Sequence, residues 1–250
     1  MMGPSIKLEN VGVHFNLPNA RSKGVMNSFK TVALGGVIKQ HKKRVGITAL
    51  DNITMNLKSG DRVALIGHNG AGKTTLLRIL AGIIPPTSGK IRIEGKISSL
   101  ISIQLGLNSD ATGRENIRYR ARYMGFTEKE IDQQFDDIID FSDLSNFIDL
   151  PIRSYSSGMR LRLAFAIATA FRPDILVLDE WLSAGDKNFQ ARASERLGSL
   201  IDRTGIFIFA SHNSQVQSRT CNKGIVLRRG KILFRGDIDE AIEFNKTSEY

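Results

Sequence analysis

Between Arg62 and Ala81 the chain runs apolar, then glycine-rich, then apolar again, and few folds accept that order. Arg62-Val63-Ala64-Leu65-Ile66 reads as a buried strand. Gly67-His68-Asn69-Gly70-Ala71-Gly72-Lys73-Thr74 fits G-x-x-x-x-G-K-[ST] at every fixed position, and Thr75-Leu76-Leu77-Arg78-Ile79-Leu80-Ala81 reads as a helix. A strand, a glycine loop and a helix in succession aim backbone N–H groups and a positive helix end at a phosphate chain. Gly67, Gly70 and Gly72 let the backbone turn tightly against a ligand. Lys73 is placed for the β- and γ-phosphates, and the Thr74 hydroxyl for Mg²⁺.

A second signal follows the apolar run Ile175-Leu176-Val177-Leu178. Asp179 at its end is the expected holder of Mg²⁺ beside a phosphate loop, and Glu180 is placed to orient or deprotonate a water. A third lies in Arg153-Ser154-Tyr155-Ser156-Ser157-Gly158-Met159, where serines and a glycine open an amphipathic helix whose N-terminus favours an anion.

Strand character also appears over residues 5–15, 47–66, 90–97 and 206–210, with mostly helical sequence over 114–172. Lys90–Ile97 alternates as an antiparallel strand does, and Thr127 with Glu130 spells a capping box. Apolar strands alternating with helices imply an α/β fold with a central, mainly parallel sheet. Residues 16–46 read as a long insertion, partly helical, with the basic run Lys39–Arg44.

The order of these motifs resembles that of ABC ATPases. Tyr155, Ser156, Ser157, Gly158 and Met159 fall on the five positions of the signature Leu-Ser-Gly-Gly-Gln. Ser183-Ala184-Gly185-Asp186 is similar to the loop that crosses to the dimer partner, and Ser211-His212 to the switch histidine. Phe15 stands where the family stacks an aromatic on adenine. Aligned from Thr112-Gly113-Arg114-Glu115-Asn116, the glutamine-loop position falls on Ser102, with Gln104 the nearby candidate Mg²⁺ ligand. The Ser-Ser-Gly-Met and Thr-Gly-Arg-Glu-Asn runs and the insertion resemble ATP-binding subunits of O-antigen, capsule or teichoic-acid exporters.

The resemblance implies a single ABC ATPase domain over 1–250: a P-loop core, an antiparallel β subdomain, a helical subdomain over about 105–172 and a short tail over 230–250. It implies ATP and Mg²⁺ as cofactors, with catalytic Glu180, His212 and Lys73. ATP binding falls to Phe15, the loop from Gly67 through Thr75, and Ser156, Ser157 and Gly158; Mg²⁺ falls to Thr74, Asp179 and Gln104. It implies a homodimer built through P-loop and signature contacts, and two copies of a separate integral membrane permease. The cargo is a lipid-linked polysaccharide, and the place is the cytoplasmic face of the inner membrane, peripherally bound. Some members carry a C-terminal carbohydrate-binding domain, for which this sequence leaves no room.

Composition fits a peripheral, non-secreted protein. No N-terminal signal peptide is visible, no apolar run approaches the roughly 20 residues that span a bilayer, and Cys221 stands alone. The net charge of +10 points to an acidic partner. Lys42, Lys43, Arg44, Arg114, Arg118, Arg120 and Arg122 are candidates to face anionic headgroups, and residues 102–123 to receive the permease. A soluble ABC ATPase acting on nucleic acid or ribosomes is the alternative. The single ATPase unit and the lack of a heptad tract favour the transporter, with no nucleic acid expected.

Overall fold

The computed structural model describes residues 3–16, 37–41, 44–101, 103, 106–180 and 187–247, with only the backbone given for residue 16, residues 37–41 and residues 44 and 45. The chain forms two compact units, one from residues 1–94 with 205–250, the other from 95–204.

The first unit holds two sheets. An antiparallel sheet has the order β2(Val37–His41), β3(Arg44–Lys58), β1(Ser5–Asn16), β5(Ser88–Glu94). The apolar alternation of β1 breaks between Leu8 and Val11, and the pairing with β3 shifts register there. Asn10 takes up the slip as a left-handed residue (φ 52°), its N–H donating to the Thr54 hydroxyl at 3.0 Å. A β-bulge thus returns Val11 and Val13 to the core side, where they are buried with Ile6 and Leu8. The second sheet sets β4(Arg62–Ile66) between β8(Ile206–Ala210) and β9(Lys223–Arg228), parallel to both, and β10(Lys231–Asp237) antiparallel to β9. β8 is buried along its whole length, as the unbroken apolar run of a strand covered on both faces requires. Among the described residues the unit also carries helices α1(Lys73–Leu80), α6(Ser214–Thr220) and α7(Ile238–Thr247). α1 packs on β3 and β8, and α7 on β9, β10 and β4.

The second unit pairs β6(Ile97–Ser99) in parallel with β7(Ile175–Asp179) and carries α2(Gly113–Tyr123), α3(Glu128–Ser142), α4(Ser157–Ala170) and α5(Lys187–Arg203). Its core gathers Ile117, Ile131, Phe135, Ile138, Leu163 and Ile167. Thr112 and Thr127 each close a full capping box with the glutamate three residues on.

Three expectations change. The alternating run over Lys90–Ile97 is two strands: Gly95, at φ 121°, turns the chain, and Ile97 opens β6 in the other unit. The end of the 16–46 insertion is β structure, β2 paired with the first residues of β3; its earlier residues lie outside the described ones. The helix after the signature is not amphipathic: Leu163–Thr169 are all buried, because α2, α3, α5 and β6 cover α4 from every side. Among the described residues no helix is long and apolar enough to cross a membrane.

Candidate functional site

In the first unit, β4 and β8 run side by side with Leu65 opposite Ala210. Gly67 and His212 each follow two residues later, so both loops leave the same edge of the sheet. That carboxyl edge is where open α/β sheets hold ligands. Gly67 (φ 146°) passes so close to β9 that a Cβ would lie 2.3 Å from the Leu227 carbonyl oxygen. Gly72 (φ 110°) presses on the Ala49 carbonyl and the Leu50 side chain, each 2.9 Å from a Cβ placed there. Between them His68, Asn69 and Gly70 are exposed, Ala71 is buried, and Thr74 is exposed on the first turn of α1. Lys73 is 8% exposed, its Nζ donating to the Gly67 and His68 carbonyls at 2.5 and 3.1 Å. The ammonium therefore sits inside the curve of the loop.

Thr112, Thr127, Ser156 and Asn213 cap their helices with side-chain oxygens; Gly72, at the start of α1, caps with none. The first N–H groups of a helix have no acceptor within it. With no side-chain cap at Gly72, the first turn of α1 adjoins the exposed loop His68–Gly70, where a helix N-terminus favours an anion.

The turn carrying His212 is fixed on both flanks. The Ser211 carbonyl accepts from Gln217 Nε2 at 2.7 Å, and Ser211 Oγ from the Asn213 N–H at 3.1 Å. His212 stands exposed between them. Phe15 is 46% exposed and so adds little to the core.

Two residues that shape this edge escaped the sequence reading. Gly230 braces the phosphate loop: its N–H donates to the Ala71 carbonyl at 2.9 Å, and its own carbonyl accepts from the Asp51 N–H at 2.8 Å. Asn213 caps α6, accepting from the Gln215 and Val216 N–H groups. A cap-type residue before a short helix could have been read in advance. The contacts of Gly230, about 160 residues from Ala71, carry no local signal.

In the second unit, Asp179 and Glu180 follow four buried residues of β7. Glu180 is left-handed at φ 64°, a costly conformation for a side chain with no turn chemistry of its own, and one typical of strained functional positions. The Leu100 N–H donates to the Val177 carbonyl at 2.9 Å, so the segment leaving β6 exits at the same edge as Asp179. Ser102 and Gln104 on that segment, and Ser183–Asp186 after β7, lie outside the described residues. At the signature, Ser156 Oγ accepts from the Met159 N–H at 3.2 Å, and Ser156 and Ser157 are exposed. A Cβ on Gly158 would meet nothing closer than Ser156 Oγ at 3.8 Å, so the tip is open.

The arginines expected near anionic headgroups are engaged elsewhere. Arg114 pairs with Asp149 at 2.6 Å, Arg118 with Glu128 at 3.0 Å and Asp132 at 2.9 Å, and Arg122 with Glu128 at 2.5 Å. The hydrogen bond from Arg122 holds the Glu128 carboxyl below its ordinary range. Burial pulls Arg120 down to about 10, still charged at neutral pH. The local charge is largely neutralised by neighbouring carboxylates. Lys42 and Lys43 lie outside the described residues.

A family model described as ABC transporter matches residues 50–183, more than half the chain. The chain belongs to the ABC transporter family. That stretch runs from β3 through the phosphate loop and the signature to Asp179 and Glu180. This ABC transporter subunit is 41% identical, over 91% of its length and 96% of the other's, to the O-antigen export system ATP-binding protein RfbE of Yersinia enterocolitica. It is 38% identical over 79% of its length to the O-antigen export protein RfbB of Klebsiella pneumoniae, covering 80% of that protein. It is 42% identical over 76% of its length to the teichoic acids export ATP-binding protein TagH of Enterococcus faecalis, but spans only 42% of that protein. Among solved structures, an ATP-binding subunit of an ABC transporter aligns at TM-score 0.69 and 20% identity, over 98% of this chain and 95% of that one. A dimeric ATP-binding cassette in a post-hydrolysis state aligns at TM-score 0.65 and 21% identity, over 93% and 98%. At those identities the structural matches speak for the fold: a P-loop core with an antiparallel β part and a helical part.

Proposed function

We propose that two copies of this chain close on two ATP molecules and that the resulting ATPase cycle powers export of a lipid-linked polysaccharide through a separate membrane permease. The N-terminus of α1 carries this reading, since it follows the phosphate-loop glycines and Gly72 puts no side-chain cap on it. The donor set fits a nucleotide: a helix N-terminus without a side-chain cap, an ammonium inside the loop and an exposed Thr74 hydroxyl. Mg²⁺ takes one or two protein ligands plus phosphate and water, and Thr74 and Asp179 would supply them. Bound there, Mg²⁺ would neutralise charge developing on the γ-phosphate.

Lys73 exchanges its two carbonyl acceptors for phosphate oxygens. Glu180 takes a proton from the attacking water or orients it, and His212 holds the γ-phosphate and water in line. Ser156, Ser157 and Gly158 meet the nucleotide of the partner copy, where a charged acceptor strengthens each hydrogen bond. Gln104 reports Mg²⁺, and Phe15 stacks on the adenine. Residues 102–123 receive the permease at the cytoplasmic face of the inner membrane.

The cargo follows from relatives that serve O-antigen and teichoic acid export. The test is genetic. Replacing the gene with its Lys73→Ala form is expected to abolish surface polysaccharide while lipid-linked polymer accumulates inside. Normal surface polymer in that strain would contradict the proposal, as would recovery of the purified protein with RNA and no membrane protein.

A further inference from the structure

We infer that Thr112–Asn116 positions the signature tip, through a space left at Gly113 for Tyr155, and so sets how Ser156 meets its ligand. This presupposes the proposed closure of Ser156 on a partner's nucleotide and adds what holds that serine in place.

The chain enters α4 through residues 147–155, and this entry is tied along its length to residues 109–114. The Gly113 N–H donates to the Leu150 carbonyl at 3.3 Å and the Arg114 N–H to Ile148 at 2.9 Å. In the other direction, the Ile152 N–H donates to Ala111 at 3.0 Å and the Arg153 N–H to Ser109 at 2.9 Å. An antiparallel bridge joins Thr112 to Pro151, and two hydrogen bonds at 2.6 and 3.2 Å join Arg114 to Asp149.

The anchoring side is itself rigid. Asn116 is fully buried; its Oδ1 accepts from the Asn108 N–H at 2.7 Å, and its amide donates to the carbonyls of Asn108, Ala111 and Thr112. Thr112 and Glu115 close the capping box beside it. Loop and helix start therefore move as one body.

Tyr155 is the residue before the cap Ser156, is 3% exposed, and donates its hydroxyl to the Phe147 carbonyl at 2.6 Å. That hydroxyl lies 2.5 Å from where a Cβ on Gly113 would stand, with Ile148 Cδ1 at 2.9 Å and the Ile148 carbonyl oxygen at 3.1 Å. Gly113 opens a helix without a positive φ, so its backbone does not demand glycine. Glycine is also a poor helix residue. What demands it is room for the Tyr155 hydroxyl. Tyr155 occupies the position where the signature pattern has Leu, which carries no hydroxyl to accommodate. Glycine and tyrosine are thus a matched pair 42 residues apart.

The test uses the purified full chain and reads nucleotide affinity and kcat with Glu180 intact, and ATP-driven dimer formation in a separate Glu180→Gln background. Gly113→Ala is expected to lower kcat roughly tenfold or more, the scale of an over-packing penalty expressed as rate, with ATP affinity within about twofold of the parent. Adding Tyr155→Phe and Ile148→Val, which vacate the space, is expected to restore most of kcat. An unchanged melting temperature in Gly113→Ala, beside the lowered kcat, separates positioning from loss of folded protein. Arg114→Ala, an exposed change that leaves the fold standing, is expected to lower kcat a fewfold at unchanged ATP affinity, and covers the case in which Gly113→Ala does not fold. Wild-type kcat in both Gly113→Ala and Arg114→Ala overturns the inference, as does a Gly113→Ala defect that the added changes do not relieve. Ser156→Arg separates the levels. If it leaves hydrolysis and dimerisation intact, the closure reading itself fails. If it abolishes both while the Gly113 and Arg114 variants are silent, only the positioning role fails.

Discussion

The two helix starts at α1 and α4 use one device in opposite ways. Both present a positive helix end next to glycine. At α1 the glycines are forced: Gly67 and Gly72 have positive φ and no room for a Cβ, and no side chain caps the end. At α4 the end is already capped by Ser156, and Gly158 has open space around it and no positive φ. The first is a cradle built from residues of its own unit. The second is a self-sufficient tip whose free space has no internal use, and space kept clear on a surface is space for something that arrives.

The comparison can be broken by substitution. The largest effect is expected at Lys73. Lys73→Ala removes the ammonium inside the cradle and should lower kcat by ~10²-fold or more, as losing a charge-stabilising donor does; a steady-state ATPase assay checks it. Next come the glycines. Gly72→Ala should cost roughly 1–3 kcal/mol of stability, from its left-handed φ and its clash, and should lose nucleotide binding with it. Gly158→Ala should keep the melting temperature and single-chain ATP affinity, yet lose ATP-driven dimer. Equal behaviour of the two variants in thermal melts and nucleotide titrations would erase the distinction. The smallest effect lies away from both tips and calibrates them. Hydrogen bonds from the Thr127 backbone, Lys96 and the Thr127 hydroxyl hold Glu130 at about 2, against an ordinary 4.5. A depressed carboxyl contributes stability that is present above its unfolded value and lost as pH falls through the folded one. Glu130→Gln should therefore flatten the loss of melting temperature between pH 4.5 and about 2, leaving neutral-pH ATP affinity unchanged.

What the sequence disclosed follows the range of each interaction. The α1 cradle was readable because strand, loop and helix adjoin within 20 residues and each glycine has a local reason. The Thr127 box was readable for the same cause. The strand ending at Asp179 and the helix opened by Ser156 were readable as elements too. The ion pairs of the α2 arginines were not readable because their partners, Glu128, Asp132 and Asp149, lie on the next helix and a distant loop. Charge counted along the chain cannot see neutralisation across a fold. The signature helix misled because its covering comes from four separate elements. Gly113 stayed silent because the atom that requires it belongs to Tyr155, far along the sequence. Burial and pairing over long separations were hidden; backbone chemistry over short ones was not.

The central claim is that the α4 tip of one copy completes the α1 cradle of another. The direct measurement is the light-scattering mass of the Glu180→Gln protein with ATP and Mg²⁺, with and without Ser156→Arg in the same chain. The account predicts twice the chain mass of 27.7 kDa with the tip intact and the single mass with Ser156→Arg. An ATP-loaded Glu180→Gln protein that stays at the single mass, or a dimer that survives Ser156→Arg, would contradict it.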